Sequence, residues 1–164
     1  FKYLPKAYEN GNDLTARNET AIAALEAGIA INNSSVTIVH GMSRPIGALY
    51  HVPHGLSNAM LLYKCMSFAK NGAVSRFAEL ARAIGKALPD TDDSAAADLF
   101  LETLGNLCKT LEVPTLKEYG IKSQDFFKNI DKMSDDALAS GSPANTVKEV
   151  TKADIVNIYG SLFN

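Results

Sequence analysis

Apolar residues recur at helical spacing along nearly the whole chain, and the segments between them end in helix-stopping residues rather than in two-residue hairpin turns. That pattern excludes a sheet-based architecture and predicts an all-α fold, a bundle of about seven helices. Phe1, Leu4 and Tyr8 share one helical face with no capping residue ahead of them, so the chain is expected to open inside a helix, as a fragment would. The turn Asn10-Gly11-Asn12 follows, and Asp13 can cap a helix running to about Gly28. Ile22, Leu25 and Ile29 line one side of that helix, and the small residues Ala21, Ala24 and Gly28 line the other, so it should be packed on two sides. Val36 to Val39 is β-branched and could pass for a strand. With Ser34 and Ser35 as caps and no partner strand evident, it reads as helix.

After Pro53, the stretch His54 to Ala69 is apolar almost all round, which predicts the most buried helix of the bundle, ended by Asn71-Gly72. Three amphipathic helices follow: one lined by Phe77, Leu80 and Ile84, one lined by Phe100, Leu104, Leu107 and Leu111 behind Asp92 and Ser94, and one lined by Phe126, Ile130 and Met133. A loop with Gly141, Pro143 and Asn145 leads to a last helix, where Thr151 and Asp154 stand at capping-box distance.

With 164 residues, 46% of them hydrophobic, the chain can bury the core of one domain, and no linker or repeat divides it. A net charge of -2 with both signs scattered leaves no basic stripe for phosphates, which argues against nucleic acid as a partner. The longest apolar run, Leu56 to Phe68, is interrupted by Lys64 and is too short for a bilayer, so no membrane is expected. No signal peptide is visible, and Cys65 and Cys108 are too few for a disulfide framework. Both points fit a soluble protein of the reducing cytoplasm.

All three histidines, His40, His51 and His54, fall in one fifteen-residue window. Neutral imidazole ligates iron and zinc, and two such ligands on separate elements can converge if the turn between them is fixed, here by Gly47 and Pro53. A histidine pair is also compatible with ordinary buried polar residues, and His51 with His54 at i, i+3 is a second possible pairing. Two histidines leave a metal short of the three or four protein ligands it normally takes.

The run Val39-His40-Gly41-Met42-Ser43-Arg44-Pro45-Ile46-Gly47-Ala48, followed by Pro53-His54-Gly55-Leu56-Ser57-Asn58-Ala59, resembles the signature of the iron-containing (group III) alcohol dehydrogenases. Leu4 to Asp13 and Thr151 to Tyr159 are similar to the family's entry into its C-terminal helices and to its last helix, so the resemblance covers the chain in order. It implies that residues 1–164 form the C-terminal helical metal-binding domain and that the N-terminal dinucleotide-binding domain lies outside this sequence. It further implies that His40 and His54 are two of four metal ligands, the others being an upstream Asp and His, with iron as the expected metal and zinc as the alternative. NAD or NADP would be bound mainly by the other domain, since no glycine-rich cradle occurs here.

Members of the family often carry a second histidine where this chain has Arg44, one turn after His40, and use it to relay a proton. Guanidinium stays protonated and cannot do so. Arg44 could hold an anionic substrate group or a phosphate, or make a surface ion pair, and His51 is the substitute relay candidate. Met42, Leu56 and Met60 either shape a substrate pocket or belong to the core. The activity implied is hydride transfer between a small alcohol or aldehyde and a nicotinamide, with the metal as Lewis acid. The face around His40, Pro53 and His54 would be covered by the other domain, so the chain alone is expected to self-associate, through that face or through the first helix at Phe1, Leu4 and Tyr8, and a homo-oligomer is the expected native state. Two further readings stay open: a non-catalytic helical interaction module, and a stand-alone metal-binding protein that completes its shell by oligomerisation.

Overall fold

The computed structural model describes residues 1–163. Eight α-helices carry the fold and no strand occurs among the described residues, so the all-helical expectation holds with one helix more than anticipated. They are α1 (Leu4–Glu9), α2 (Leu14–Asn33), α3 (Ile38–Tyr50), α4 (His54–Ala69), α5 (Val74–Ala83), α6 (Asp93–Thr110), α7 (Ser123–Ala139) and α8 (Lys152–Gly160). No single helix among the described residues is long and apolar enough to cross a membrane.

Local chemistry sets several helix starts. The Asp13 carboxylate accepts from the Ala16 N–H at 2.9 Å, and that of Asp92 accepts from the N–H groups of Ser94 and Ala95 at 3.0 and 3.1 Å. Thr151 and Asp154 form a complete capping box on α8. The start of α3 is different. Its N-cap Thr37 makes no side-chain bond, and the Ile38 N–H instead donates to Thr146 Oγ1 at 3.1 Å, from a segment distant in sequence. Ser34 and Ser35 therefore do not cap this helix; Ser34 closes α2, and Val36 and Thr37 are not helical.

Two apolar clusters form the interior. The larger joins Ile38, Met42 and Ile46 of α3, Leu61 and Cys65 of α4, Phe126 and Met133 of α7, and Ile155 and Tyr159 of α8. The smaller is the α5–α6 pair, where Phe77, Ala78 and Ala81 meet Ala96, Ala97, Phe100 and Leu104. Leu62 and Met66 of α4 touch both, which makes α4 the bridge of the molecule. It is not the most buried helix. That is α3, with seven buried residues of its 13 against four of 16 in α4. The reason is that α3 is packed by α4, α7 and the 3-10 turn Ser142–Asn145 together. Gly41 permits the last of these contacts, since a Cβ there would lie 2.8 Å from Pro143 Cδ.

Three further expectations are corrected. The chain does not open inside a helix, because α1 begins at Leu4, with Pro5 in its first turn. Leu80 faces solvent, and the inner face of α5 is Phe77, Ala78 and Ala81. The largest difference is α2, which runs on to Asn33 and is not packed on two sides. Ala16 is its single buried residue and α1 its main partner, so Ile22, Leu25 and Ile29 are exposed, as are Ala21, Ala24 and Gly28.

Candidate metal centre

The site grows out of the connection between α3 and α4. His51, the C-cap of α3, adopts the left-handed conformation with φ 54°, which reverses the chain within three residues. Val52 then turns inward and is buried, and Pro53, with φ -53°, sets up the first turn of α4. The Val52 carbonyl packs back on Gly47, where a Cβ would stand only 3.3 Å from its oxygen. This hairpin brings His40, in the first turn of α3, beside His54, the first residue of α4. Their ring centroids are 5.3 Å apart, with the ring planes tilted by 55°.

Both rings have environments suited to ligation. The pKa of His40 is lowered, first by partial burial and then by the neighbouring His54 and Arg44, so its imidazole is held neutral, the form a metal needs. His54 is exposed, and its Nε2 lies 3.2 Å from Nδ2 of Asn58, one turn further along α4. Asn58 Oδ1 is buried and has no partner among the described residues. Beside the pair is a cavity of about 370 Å³ walled by Ile31, Val36, Val39, His40, Gly55 and Asn58.

Convergent imidazoles next to a cavity fit a metal ion, but only half of one. No group of three or more His, Cys, Asp or Glu side chains comes together among the described residues. A closed shell needs donors from elsewhere.

Arg44 lies one turn beyond His40 and is exposed, with its Nη1 donating to Ser142 Oγ at 3.2 Å. It makes no ion pair among the described residues. His40 and His54 are thus brought together, with Arg44 one turn along α3 from His40, and His51 is not. Its exposed ring pairs with neither histidine, and its backbone carbonyl accepts from the Tyr119 hydroxyl at 3.4 Å. Met42 is fully buried in the core, against which Leu56 and Met60 also pack. Sequence reasoning assigned no role to Asn58 or Ser142. Asn58 was legible, because His54 and Asn58 at i, i+4 share a helix face. Ser142 is 98 residues from Arg44, and no local pattern marks it.

The all-helical domain presents two histidines at a helix hairpin, with no group of three or more His, Cys, Asp or Glu among the described residues. Residues 1–163 match the profile described as "Fe-containing alcohol dehydrogenase family, C-terminal", and the chain belongs to that family. It is similar to the NADPH-dependent butanol dehydrogenase of Clostridium saccharobutylicum, with 29% identity over 99% of this chain and 41% of that protein. Among solved structures, 1,3-propanediol oxidoreductase superposes with a TM-score of 0.91 at 28% identity, over 99% of this chain and 42% of the other. The alcohol dehydrogenase of Oenococcus oeni gives 0.88 at 32% identity, over 97% of this chain and 41% of the other. The chain therefore spans about two fifths of the length of each of these three relatives.

Proposed function

We propose that the chain is the metal-binding domain of an NAD(P)-dependent alcohol dehydrogenase, which moves a hydride between a small alcohol or aldehyde and a nicotinamide cofactor. The observation that carries this reading is the His40–His54 pair, two imidazoles with centroids 5.3 Å apart, of which His40 lines a cavity. Family membership supports it, and so do the names of the relatives, which are butanol, propanediol and methanol dehydrogenases. In this reading an upstream dinucleotide-binding domain supplies the cofactor site and the missing ligands, and the whole is a cytoplasmic homo-oligomer.

His40 and His54 would hold the metal, iron first and zinc as the alternative. When bound, a divalent ion supplies Lewis acidity toward the oxygen of the alcohol or carbonyl. The chain's own groups do the rest. Burial and neighbouring positive charge keep His40 unprotonated, so its lone pair stays available at neutral pH. Asn58 lies within hydrogen-bond reach of His54 Nε2, and with its amide turned so that Oδ1 accepts from Nε2–H it would restrain the ring and leave Nδ1 for the metal. The apolar walls Ile31, Val36 and Val39 keep water from the hydrocarbon part of a substrate.

The test is metal analysis of the intact protein that carries this chain. Close to one ion per subunit is expected, with its affinity falling by more than about tenfold in His40→Ala and in His54→Ala. Undiminished metal in the double variant would end the assignment. The 164-residue chain on its own is expected to oxidise no alcohol, and cofactor-dependent turnover by it would contradict the two-domain reading.

A further inference from the structure

The sequence repeats itself at the site. His40-Gly41-Met42-Ser43 on α3 and His54-Gly55-Leu56-Ser57 on α4 share one pattern: histidine, glycine, an apolar residue, serine. In each, the serine at i+3 shares a helix face with the histidine and lies one turn along from it. Both serines are wholly buried, at 0% exposure. Their hydroxyls are satisfied within their own helices, Ser43 Oγ donating to the His40 carbonyl at 3.2 Å and Ser57 Oγ to the His54 carbonyl at 3.0 Å. What the pair provides across the interface is closeness. Ser57 Oγ also stands 3.5 Å from the Ser43 carbonyl oxygen, too far for a strong bond but near enough that a side chain of α4 rests on the backbone of α3. Further along the same interface, Cys65 Sγ of α4 meets Met42 Sδ of α3 at 3.8 Å.

We propose that Ser43 and Ser57 are positioning residues: by staying small where α3 meets α4 they set the separation of the two helices, and with it the 5.3 Å separation of the His40 and His54 rings. The use of the ring pair rests on the dehydrogenase reading above, whereas the spacing is a property of this chain's own packing. Each histidine is one turn from its serine on a rigid helix, so a displacement at the serine contact is carried to the rings. A packed interior does not take in an added methyl without shifting side chains or backbone, and both serines are enclosed on all sides. Two imidazoles that share an ion tolerate ligand distances only within about 0.2 Å of the ideal. Bulk at Ser43 or Ser57 therefore opens the pair. Alanine, which is no larger than serine, leaves it closed, because the hydroxyls bond within their own helices and add little across the interface.

The experiment uses the intact protein that carries this chain, with Ser57→Val, Ser57→Thr, Ser43→Ala and Ser57→Ala, and has two readouts. One is the His40–His54 ring separation in crystals of the metal-free protein; the other is zinc affinity, measured by competition with a chelator. In Ser57→Val the rings should stand measurably further apart and the affinity should fall roughly 10- to 100-fold. Ser57→Thr adds a single methyl and should move both readouts the same way by less, and it carries the test if the valine variant does not fold. Both alanine variants should keep the natural separation and nearly the natural affinity. Phe100→Leu, in the separate α5–α6 cluster, serves as a control for general loss of stability and should change neither readout at a comparable drop in melting temperature. Unmoved rings in the valine and threonine variants overturn the proposal, whatever the affinity does. So does an equal loss of affinity in Phe100→Leu, or rings displaced in the alanine variants. A natural protein that takes up no zinc or other divalent ion would sink the dehydrogenase reading instead, and the ring separation would then decide the spacing role by itself.

Discussion

His40 has a lowered pKa because charging it would place a cation in a partly buried spot already flanked by His54 and Arg44. The unfolded chain, with an ordinary imidazole near 6.5, therefore binds more protons than the folded one in the interval below that value. Stability should rise with pH through that interval and level off above it, and His40→Gln should flatten the slope, as read from urea midpoints at a series of pH values. Tyr159 makes a different kind of contribution. Its buried hydroxyl donates to the Met42 carbonyl at 2.6 Å, and burial raises its pKa well above the ordinary phenolic value, so it stays a donor at any working pH. Tyr159→Phe keeps the ring packed on Phe126 but removes the donor, at a cost of about 1–3 kcal/mol in chemical denaturation. The same burial raises the Cys65 thiol to about 12, and the thiol should resist alkylating reagents until the protein unfolds.

At the level of elements, what could be read beforehand was what depends on neighbours in sequence. Asp13, Asp92 and Thr151 cap as their spacing requires, and Thr151→Ala should cost about 1 kcal/mol by the same denaturation assay. The hydrophobic stripe of α7 at Phe126 and Met133 likewise faces the core. What could not be read depended on contacts made elsewhere. Periodicity says that Leu80 and Leu25 are apolar, but only the placement of a second element decides whether they are covered. Leu80 lies beside the stripe that meets α6, and Leu25 belongs to neither core cluster. The start of α3 depends on Thr146, which its own sequence does not announce. Within the site, the two motif histidines and Asn58 were visible as a spacing, whereas the left-handed His51 and the support of Arg44 by Ser142 were not. Gly41 is the point where these levels meet. Gly41→Ala must push Pro143 away, and should lower stability by about 1–3 kcal/mol and disturb the Ser142 turn that holds Arg44.

Across the whole molecule the asymmetry is plain: a tightly covered α3 beside an α2 whose apolar residues face outward. Ile22, Leu25 and Ile29, at helical spacing on one face of α2, are all exposed, with Leu25 at 65%, and monomers seldom leave contiguous apolar surface open to water. The chain by itself should therefore self-associate. Light scattering across a dilution series should give a mass above 17.6 kDa at high concentration, and Leu25→Glu with Ile29→Glu should bring it down. A strictly monomeric natural chain would contradict this. The same arrangement also divides the molecule into units of unequal cooperativity. A helix anchored mainly through α1 can open while the α3–α4–α7–α8 core stays closed, because little apolar contact joins the two. Amide protons in α2 should then exchange with deuterium at low local opening free energies, while those of α3 exchange only through global unfolding. Whatever surface covers α2 would appear first as slowed exchange along that one helix.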